Sequence, residues 1–261
     1  MSILKRFIKD VVKYKEYVYL SSRSELKTQV SETVLGYLWW ILDPFLQMLI
    51  YTLLVTFIMK KKMENFAVFA FIALLPWKWF LTSISSSTDC IKKKASILQQ
   101  VYLPKFILPL IKCLVNLVKF IFGFVVIFIL LFAFKIKPTF HIIEVIPVII
   151  VNGLFLYGVC LHVAHYGVFL TDLKNMMNHL TRLWFYVSPG IYHISQIPEK
   201  YRFLWWLNPM TTFFESYRNV IMYGKSPLYG YLLVWFVVSC VILYLGLRNS
   251  YKFDKNYTKV I

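Results

Sequence analysis

The sequence is poor in acidic residues and in the residue patterns that build metal sites, disulfides or catalytic centres. Only 12 of its 261 residues are Asp or Glu, against 29 Lys or Arg. Its four cysteines (Cys90, Cys113, Cys160 and Cys240) are scattered singly, with no CxxC or His-linked spacing. We therefore expect neither a disulfide nor a metal site. The acids form no paired-carboxylate or Ser-His-Asp pattern, so we predict no catalytic residues and no enzyme activity.

Signals for nucleotides, secretion and nucleic acids are incomplete or absent. The tripeptide Gly224-Lys225-Ser226 resembles the end of a phosphate-binding loop, but Asn219 stands where that pattern requires glycine. Residues 1–36 are charged and lack an apolar core, so no cleavable signal peptide is expected. The net charge of +17 lies largely in tails and short connections beside apolar runs, which indicates membrane orientation and no nucleic-acid partner. No cofactor is expected in this chain.

Long apolar runs are abundant. With 59% hydrophobic residues, 19% aromatic residues and a mean hydropathy of +0.63, the chain is predicted to be an all-α integral membrane protein. A span needs about 20 apolar residues, and six runs qualify or nearly qualify. They cover residues 37–59, 66–85, 106–134, 142–170, about 177–192, and 228–247. We predict a single domain, 1–261, with a six-span core over 37–247 and a tail over 248–261.

Charge distribution predicts the orientation. With an inside N-terminus, the cytoplasmic segments hold 17 Lys and Arg residues and the outer segments hold 9. This bias predicts that both termini are cytoplasmic. Residues 3–19 have a basic amphipathic helical pattern, which predicts an interfacial helix on an anionic membrane surface. The alternative is an ordinary helix packed on protein.

Polar and aromatic residues inside the spans are candidates for a transport path. Lys112 is close enough to a span end to reach water, whereas Lys119 is a candidate for a polar pathway. His162 and His165 are interpreted as interfacial polar residues and not as a site. Aromatic rings either form the interfacial belt or present flat faces to sugars in a channel. The candidate channel-lining residues are Trp39, Trp40, Phe45, Tyr51, Trp77, Lys119, Trp184, Phe185 and Tyr186.

Residues 185–209, FYVSPGIYHISQIPEKYRFLWWLNP, form an apolar segment that is broken three times. The breaks fall at Ser188-Pro189-Gly190, at Pro198 and at Asn208-Pro209. Asn208 is expected to cap a helix that begins at Pro209. Broken backbone is tolerated at membrane depth only where it is buried in protein or lines a water-filled cavity, so we predict a re-entrant segment.

Four stretches resemble one family. They are ETVLGYLWWILDP (32–44), VYLPKFILPL (101–110), FLTDLK (169–174) and the Ser-Pro, Asn-Pro and Glu-Ser-Tyr-Arg motifs of 186–218. Together they resemble the membrane subunits of ABC-2 type exporters for polysaccharides and polyol-phosphate polymers, including O-antigen, capsule and teichoic acid permeases. The resemblance covers essentially the whole length. Thr171 replaces the family's usual arginine, so any role of that arginine does not carry over.

The resemblance implies a homodimer in the bacterial cytoplasmic (inner) membrane, with two short re-entrant gate helices between the fifth and sixth spans of each copy. It also implies two separate ABC ATPase subunits, which bind ATP and Mg, and a lipid-linked glycan or polyol-phosphate polymer as cargo. The implied ATPase-coupling residues are Asp89, Lys92, Lys93, Lys94, Gln100, Asp172 and Lys174. The implied gate residues are Ser188, Pro189, Tyr192, Pro198, Trp205, Trp206, Asn208, Pro209, Glu215 and Arg218.

Two alternatives remain open at this point. One is an ABC-2 exporter of a small lipid or drug. A dry interface between the two copies would favour this alternative, whereas a wide aromatic channel would favour a polymer. The other is a membrane-embedded glycosyltransferase or acyltransferase. Product formation by the purified chain without an ATPase would identify a transferase.

Overall fold

The computed structural model describes residues 3–60, 63–254 and 257, and all regular secondary structure in these residues is helical. Two of the nine cations assigned to the outer segments, Lys61 and Lys62, lie outside the described residues. Parts of the predicted tail 248–261 also lie outside them. The α-helices are α1 (Ile3–Lys13), α2 (Lys15–Ser31), α3 (Trp39–Leu53), α4 (Phe66–Thr88), α5 (Ala95–Gln100), α6 (Ile107–Ala133), α7 (Val145–Phe169), α8 (Leu173–Val187), α9 (Glu199–Trp206), α10 (Pro209–Ile221) and α11 (Tyr229–Lys252).

Five helical segments in the described residues are long and apolar enough to cross a membrane. They are Gly36–Ile58, Phe66–Thr88, Ile107–Ala133, Phe140–Phe169 and Tyr229–Lys252. These segments overlap five of the six predicted spans and confirm the prediction of an all-helical membrane protein. The remaining predicted span, about 177–192, overlaps α8, which has 15 residues and is shorter than the five.

Helix α4 lies at the centre of the bundle. Its first half, from Phe66 to Trp77, is buried at every residue. It packs against α3, α6, α7, α8 and α10. At Gly167 in α7, a Cβ atom would collide with the carbonyl oxygen of Thr88 at the end of α4. Small residues let membrane helices approach closely, so this glycine sets the distance between α4 and α7.

Helix α1 has features of both structures considered for residues 3–19, an interfacial helix and a helix packed on protein. One apolar stripe of α1 packs on the bundle, where the Phe7 ring centroid lies 5.2 Å from that of Phe106. A neighbouring stripe faces outward, and Ile8 and Val12 are each 60% exposed. The helix therefore packs on protein with one side and leaves an apolar stripe available for a membrane surface.

Candidate functional site

The broken segment that follows α8 folds into two short helices. Helix α8 ends at Val187, and the buried Ser188-Pro189-Gly190 turn leads through a 3-10 turn at Ile194–Gln196 to α9. Pro198 precedes α9, and Pro209 occupies the first position of α10. Proline is tolerated at helix starts because the N–H that it lacks has no helical partner there.

Asn208 connects the start of α10 to the end of α8. Its Oδ1 atom accepts hydrogen bonds from the backbone N–H of Met210 and from the indole N–H of Trp184, both at 3.0 Å. Its Nδ2 atom donates to Oγ of Ser188 at 2.8 Å, and this hydroxyl donates to the Trp184 carbonyl at 2.8 Å. The predicted helix cap is therefore confirmed, and the same side chain also fixes the turn after α8.

Arg218 binds the turn from the opposite side. Its guanidinium is fully buried and donates to the carbonyl oxygens of Pro189 and Gly190, both at 2.7 Å, and to the Glu215 carboxylate at 2.8 Å. It also donates to the Phe69 carbonyl at 3.3 Å and lies 3.3 Å from the centre of the Phe69 ring. A buried charge is tolerated when it is paired and hydrogen-bonded, and here the guanidinium is paired with Glu215 and each of its three nitrogens donates a hydrogen bond.

Aromatic side chains complete this arrangement. The indole N–H of Trp205 donates to the Tyr192 hydroxyl at 2.8 Å, and this hydroxyl donates to the Val187 carbonyl at 2.7 Å. Trp206 points elsewhere and stacks on Tyr231 of α11, with ring centroids 4.6 Å apart. We call the connected set the gate cluster; it consists of Trp184, Ser188, Pro189, Gly190, Tyr192, Trp205, Asn208, Glu215 and Arg218.

A second group of predicted residues meets at the other end of α8. Asp89, which follows α4, accepts hydrogen bonds from Lys174 at 2.7 Å and is paired with Lys93 at 3.1 Å. Burial acts to raise the pKa of Asp89, but these two ammonium groups outweigh it and lower the pKa. Gln100 and Asp172 are exposed and do not join this group. Asp89, Lys93 and Lys174 therefore connect α4, the loop before α5, and α8.

Two more of the predicted coupling residues, Lys92 and Lys94, are the first and last residues of the short 3-10 turn that precedes α5. Lys94 is exposed and Lys92 is half-buried. On α5 itself, Ile97 is 38% exposed, whereas Leu98 is buried against the bundle. This loop therefore presents a basic edge beside an accessible apolar side chain.

The candidate channel residues occupy three kinds of environment. Trp77 and Phe185 are only 4% and 3% exposed, and their ring centroids lie 5.3 Å apart in the core. Their position does not support a channel-lining role, because packing within the chain already covers both rings. Trp39 and Tyr186 are exposed at 43% and 58%.

The other candidates are half-buried. Trp184 belongs to the gate cluster through its bond to Asn208, and the Tyr51 ring centroid lies 5.8 Å from that of Phe185. Phe45 packs against the core from α3. Trp40 and Lys119 line a cavity between α3, α4 and α6.

These features define an all-helical integral membrane protein whose bundle contains a broken segment held by buried hydrogen bonds. Residues 16–222 match the ABC-2 type transporter family, and the chain belongs to this family. It is 30% identical over 241 residues to the O-antigen export system permease protein RfbA of Myxococcus xanthus, covering 92% of this chain and 93% of that protein. A protein of the same name from Klebsiella pneumoniae is 26% identical over the same shares of both chains.

Proposed function

We propose that the protein is the membrane-spanning permease of an ABC exporter that carries a lipid-linked polysaccharide or a related polymer across the bacterial cytoplasmic membrane. The observation that carries the proposal is the gate cluster, which holds a broken polypeptide segment inside an apolar bundle through buried hydrogen bonds. Similarity over 92% of the chain to permeases named for O-antigen export supports the choice of cargo. A separate ATPase subunit binds ATP and Mg and supplies the energy.

In this proposal α8 is the fifth of six spans, and α9 and α10 form the re-entrant gate. Helix α10 is buried against α4 and α7. Arg218 of α10 donates hydrogen bonds to the carbonyls of Pro189 and Gly190, in the turn that follows α8. Both observations support a re-entrant segment, since irregular backbone at membrane depth must be buried in protein or line a cavity. The orientation with cytoplasmic termini rests on the distribution of Lys and Arg.

A homodimer would bring two gates together over a central path. Helices α3 and α8 leave large apolar side chains outside the protein core, including Ile50 at 62% and Leu183 at 63% exposure. These faces suit a second copy or lipid. Trp39 and Tyr186 are then the aromatic candidates with enough exposed surface to contact a passing polymer.

Coupling to the ATPase is assigned to the loop between α4 and α6. The exposed cations and Ile97 of this loop offer a docking edge for the partner, and the bonds of Asp89 to Lys93 and Lys174 connect the edge to α8. Movement of the loop would then be transmitted into the membrane by a movement of α8. Two discrete positions of this helix would provide the two-state element that coupling requires.

The proposal is tested with the permease and its ATPase together in proteoliposomes that contain a fluorescent lipid-linked polysaccharide. We expect ATP-dependent appearance of the polymer on the opposite leaflet, measured by accessibility to a membrane-impermeant lectin. An ATPase that binds but does not hydrolyse ATP is the control and should abolish transport.

Each alternative has a distinct outcome in this system. Transport of a short lipid without transport of the polymer would contradict polymer export and favour the small-lipid exporter. Formation of a new glycan or acyl product by the permease alone would contradict the exporter assignment and identify a transferase.

A further inference from the structure

Two lysines lie deep within helices that are apolar enough to cross the membrane. Lys119 lies about 18 Å along α6 from Ile107, and Lys78 lies about 15 Å from the end of α4 at Thr88, at a rise of 1.5 Å per residue. These distances are at least half the thickness of a hydrocarbon core, which is about 30 Å, so neither lysine is close to that helix end. Ionisable residues at such depth are rare and mark sites or pathways for polar ligands.

Both lysines line a cavity between α3, α4 and α6. The cavity has a volume of about 300 Å³, and its walls include the indole rings of Trp39, Trp40 and Trp79. This size suits a small polar group with part of its apolar attachment. The cavity therefore combines flat aromatic surfaces with two cations and one carboxylate, that of Asp43.

The charges around the cavity do not balance. Lys78 pairs with Asp43, and Lys112 pairs with Glu25 at 2.6 Å. These four groups are the charged neighbours that act on Lys119. Among the residues that the structure describes, the Lys119 ammonium has no hydrogen-bond or ion-pair partner, and its contact is the Trp40 ring, 5.9 Å from the ring centroid. One positive charge is therefore left for an anion.

A polar route leads to this cation from the end of the bundle where α6 begins. Lys112, Asn116 and Lys119 follow one face of α6, and Asn116 donates to Ser86 of α4 at 3.4 Å. Thr82 lines both the aromatic cavity and a second cavity of about 450 Å³ at that end. The charged residues that line this second cavity are four cations, Lys93, Lys112, Lys174 and Arg182, and two carboxylates, Glu25 and Asp89. The carboxylates pair with three of these cations, so Arg182 is the cation without a carboxylate partner within the cavity.

We propose that the cavity around Lys119 binds the phosphate group of a lipid-borne anion that enters from the α6 N-terminal end. A phosphate oxygen would accept a charge-assisted hydrogen bond from the free ammonium, and the indole rings would pack on the adjoining apolar or sugar portion. The source is either the lipid carrier of the polymer or an ordinary anionic phospholipid. The carrier identity rests on the proposed function, whereas the phosphate site does not.

The test is direct binding to the purified full-length permease in a neutral detergent, measured by native mass spectrometry and by quenching of tryptophan fluorescence. Each probe pair differs only in the phosphate: a polyprenyl phosphate against its polyprenol, and phosphatidic acid against the matching diacylglycerol. We expect the phosphate-bearing member of a pair to bind about tenfold more tightly, as for one charge-assisted hydrogen bond.

Lys119→Gln should abolish this preference, and Lys119→Arg should retain it. Lys137→Gln is the matched control, since Lys137 is exposed in the connection after α6. Equal binding of both members of each pair, or an unchanged preference in Lys119→Gln, would overturn the proposal. Binding of the phosphate-free member of each pair should be unchanged in Lys119→Gln, which distinguishes loss of the phosphate contact from loss of folding.

The two lipid pairs identify the source. Tighter binding of the polyprenyl phosphate supports the site for the polymer carrier, and equal binding of phosphatidic acid supports the site for a membrane phospholipid. Failure of polymer export with phosphate binding intact would overturn the proposed function and leave the site standing.

Discussion

Replacing Arg218 by Met should destabilise the gate cluster more than any surface substitution in the same segment. Met keeps much of the apolar stem but removes the guanidinium. The change leaves the carbonyl oxygens of Pro189 and Gly190 without their 2.7 Å donors. It also leaves the Glu215 carboxylate, only 7% exposed, without its cation.

The expected loss follows from this orphaned charge. Removal of one partner of a buried ion pair costs about 3–5 kcal/mol, because the remaining charge is neither solvated nor paired. Arg218→Met should therefore reduce the free energy of unfolding by about that amount. A second substitution, Glu215→Gln, should recover part of the loss by removing the uncompensated charge.

The matched control is Arg202→Met in the same segment. Arg202 also donates to backbone carbonyls, at Ile197 and Ser195, but its ion-pair partner Glu199 is 87% exposed. Exposed pairs contribute about 0–1 kcal/mol, so this variant should lie close to wild type. The free energies are measured by SDS-titrated unfolding in detergent micelles, followed by tryptophan fluorescence.

Two results would refute this reasoning. The first is an Arg218→Met variant as stable as Arg202→Met, which would mean that the buried hydrogen bonds contribute little. The second is a double variant, Arg218→Met with Glu215→Gln, whose loss equals the sum of the two single losses. Additivity would show that the two side chains are not coupled and that the orphaned charge is not the cause.

Three further predictions concern helix packing and the coupling loop. Gly167→Ala should cost about 1–3 kcal/mol by forcing α7 away from α4, whereas Gly230→Ala, with open space around it, should not destabilise in the same unfolding assay. Because the pKa of Asp89 is lowered in the folded state, its contribution is fully present above the ordinary value of 3.8 and is lost as the pH falls through the lowered value. The stability difference between wild type and Asp89→Asn should thus be constant at about pH 5–8 and shrink below about pH 3.8. Reversing the charges of Lys92–Lys94 should weaken co-purification with the ATPase, and unchanged co-purification would contradict a docking role for this loop.

Local sequence patterns predicted the helices and their breaks well. Apolar runs form five long helices because each must satisfy its own backbone hydrogen bonds in lipid. Proline and asparagine also have local effects, and for this reason the cap at Asn208 and the helix start at Pro209 were predictable. Helix α8 is the exception among the six predicted spans, since it is shorter and carries more polar residues than the five long helices.

Contacts between distant segments could not be predicted in the same way. The motif around Arg218 makes it a gate candidate, but no local pattern predicts its bond to the Phe69 carbonyl, which joins residues 149 positions apart. Aromatic composition also failed to separate environments, because a buried Trp77 and an exposed Trp39 have the same side chain. The difference depends on which helices pack on either side of each ring, and this is a property of the tertiary fold.

Helix α8 connects the two groups of predicted functional residues. Lys174 in its first turn binds Asp89 beside the coupling loop, and Trp184 in its last turn binds Asn208 in the gate cluster. The helix is about 22 Å long at 1.5 Å per residue, which is most of the thickness of a hydrocarbon core. In the proposed exporter, a shift of the loop between α4 and α6 would therefore be transmitted along α8 to Ser188, which directly follows this helix. If the proposed function holds, Lys174→Met should reduce the amount of polymer transported per ATP hydrolysed while leaving the gate cluster folded, because it removes the bond at one end of α8. The proteoliposome assay measures this ratio, and an unchanged ratio would contradict coupling through α8.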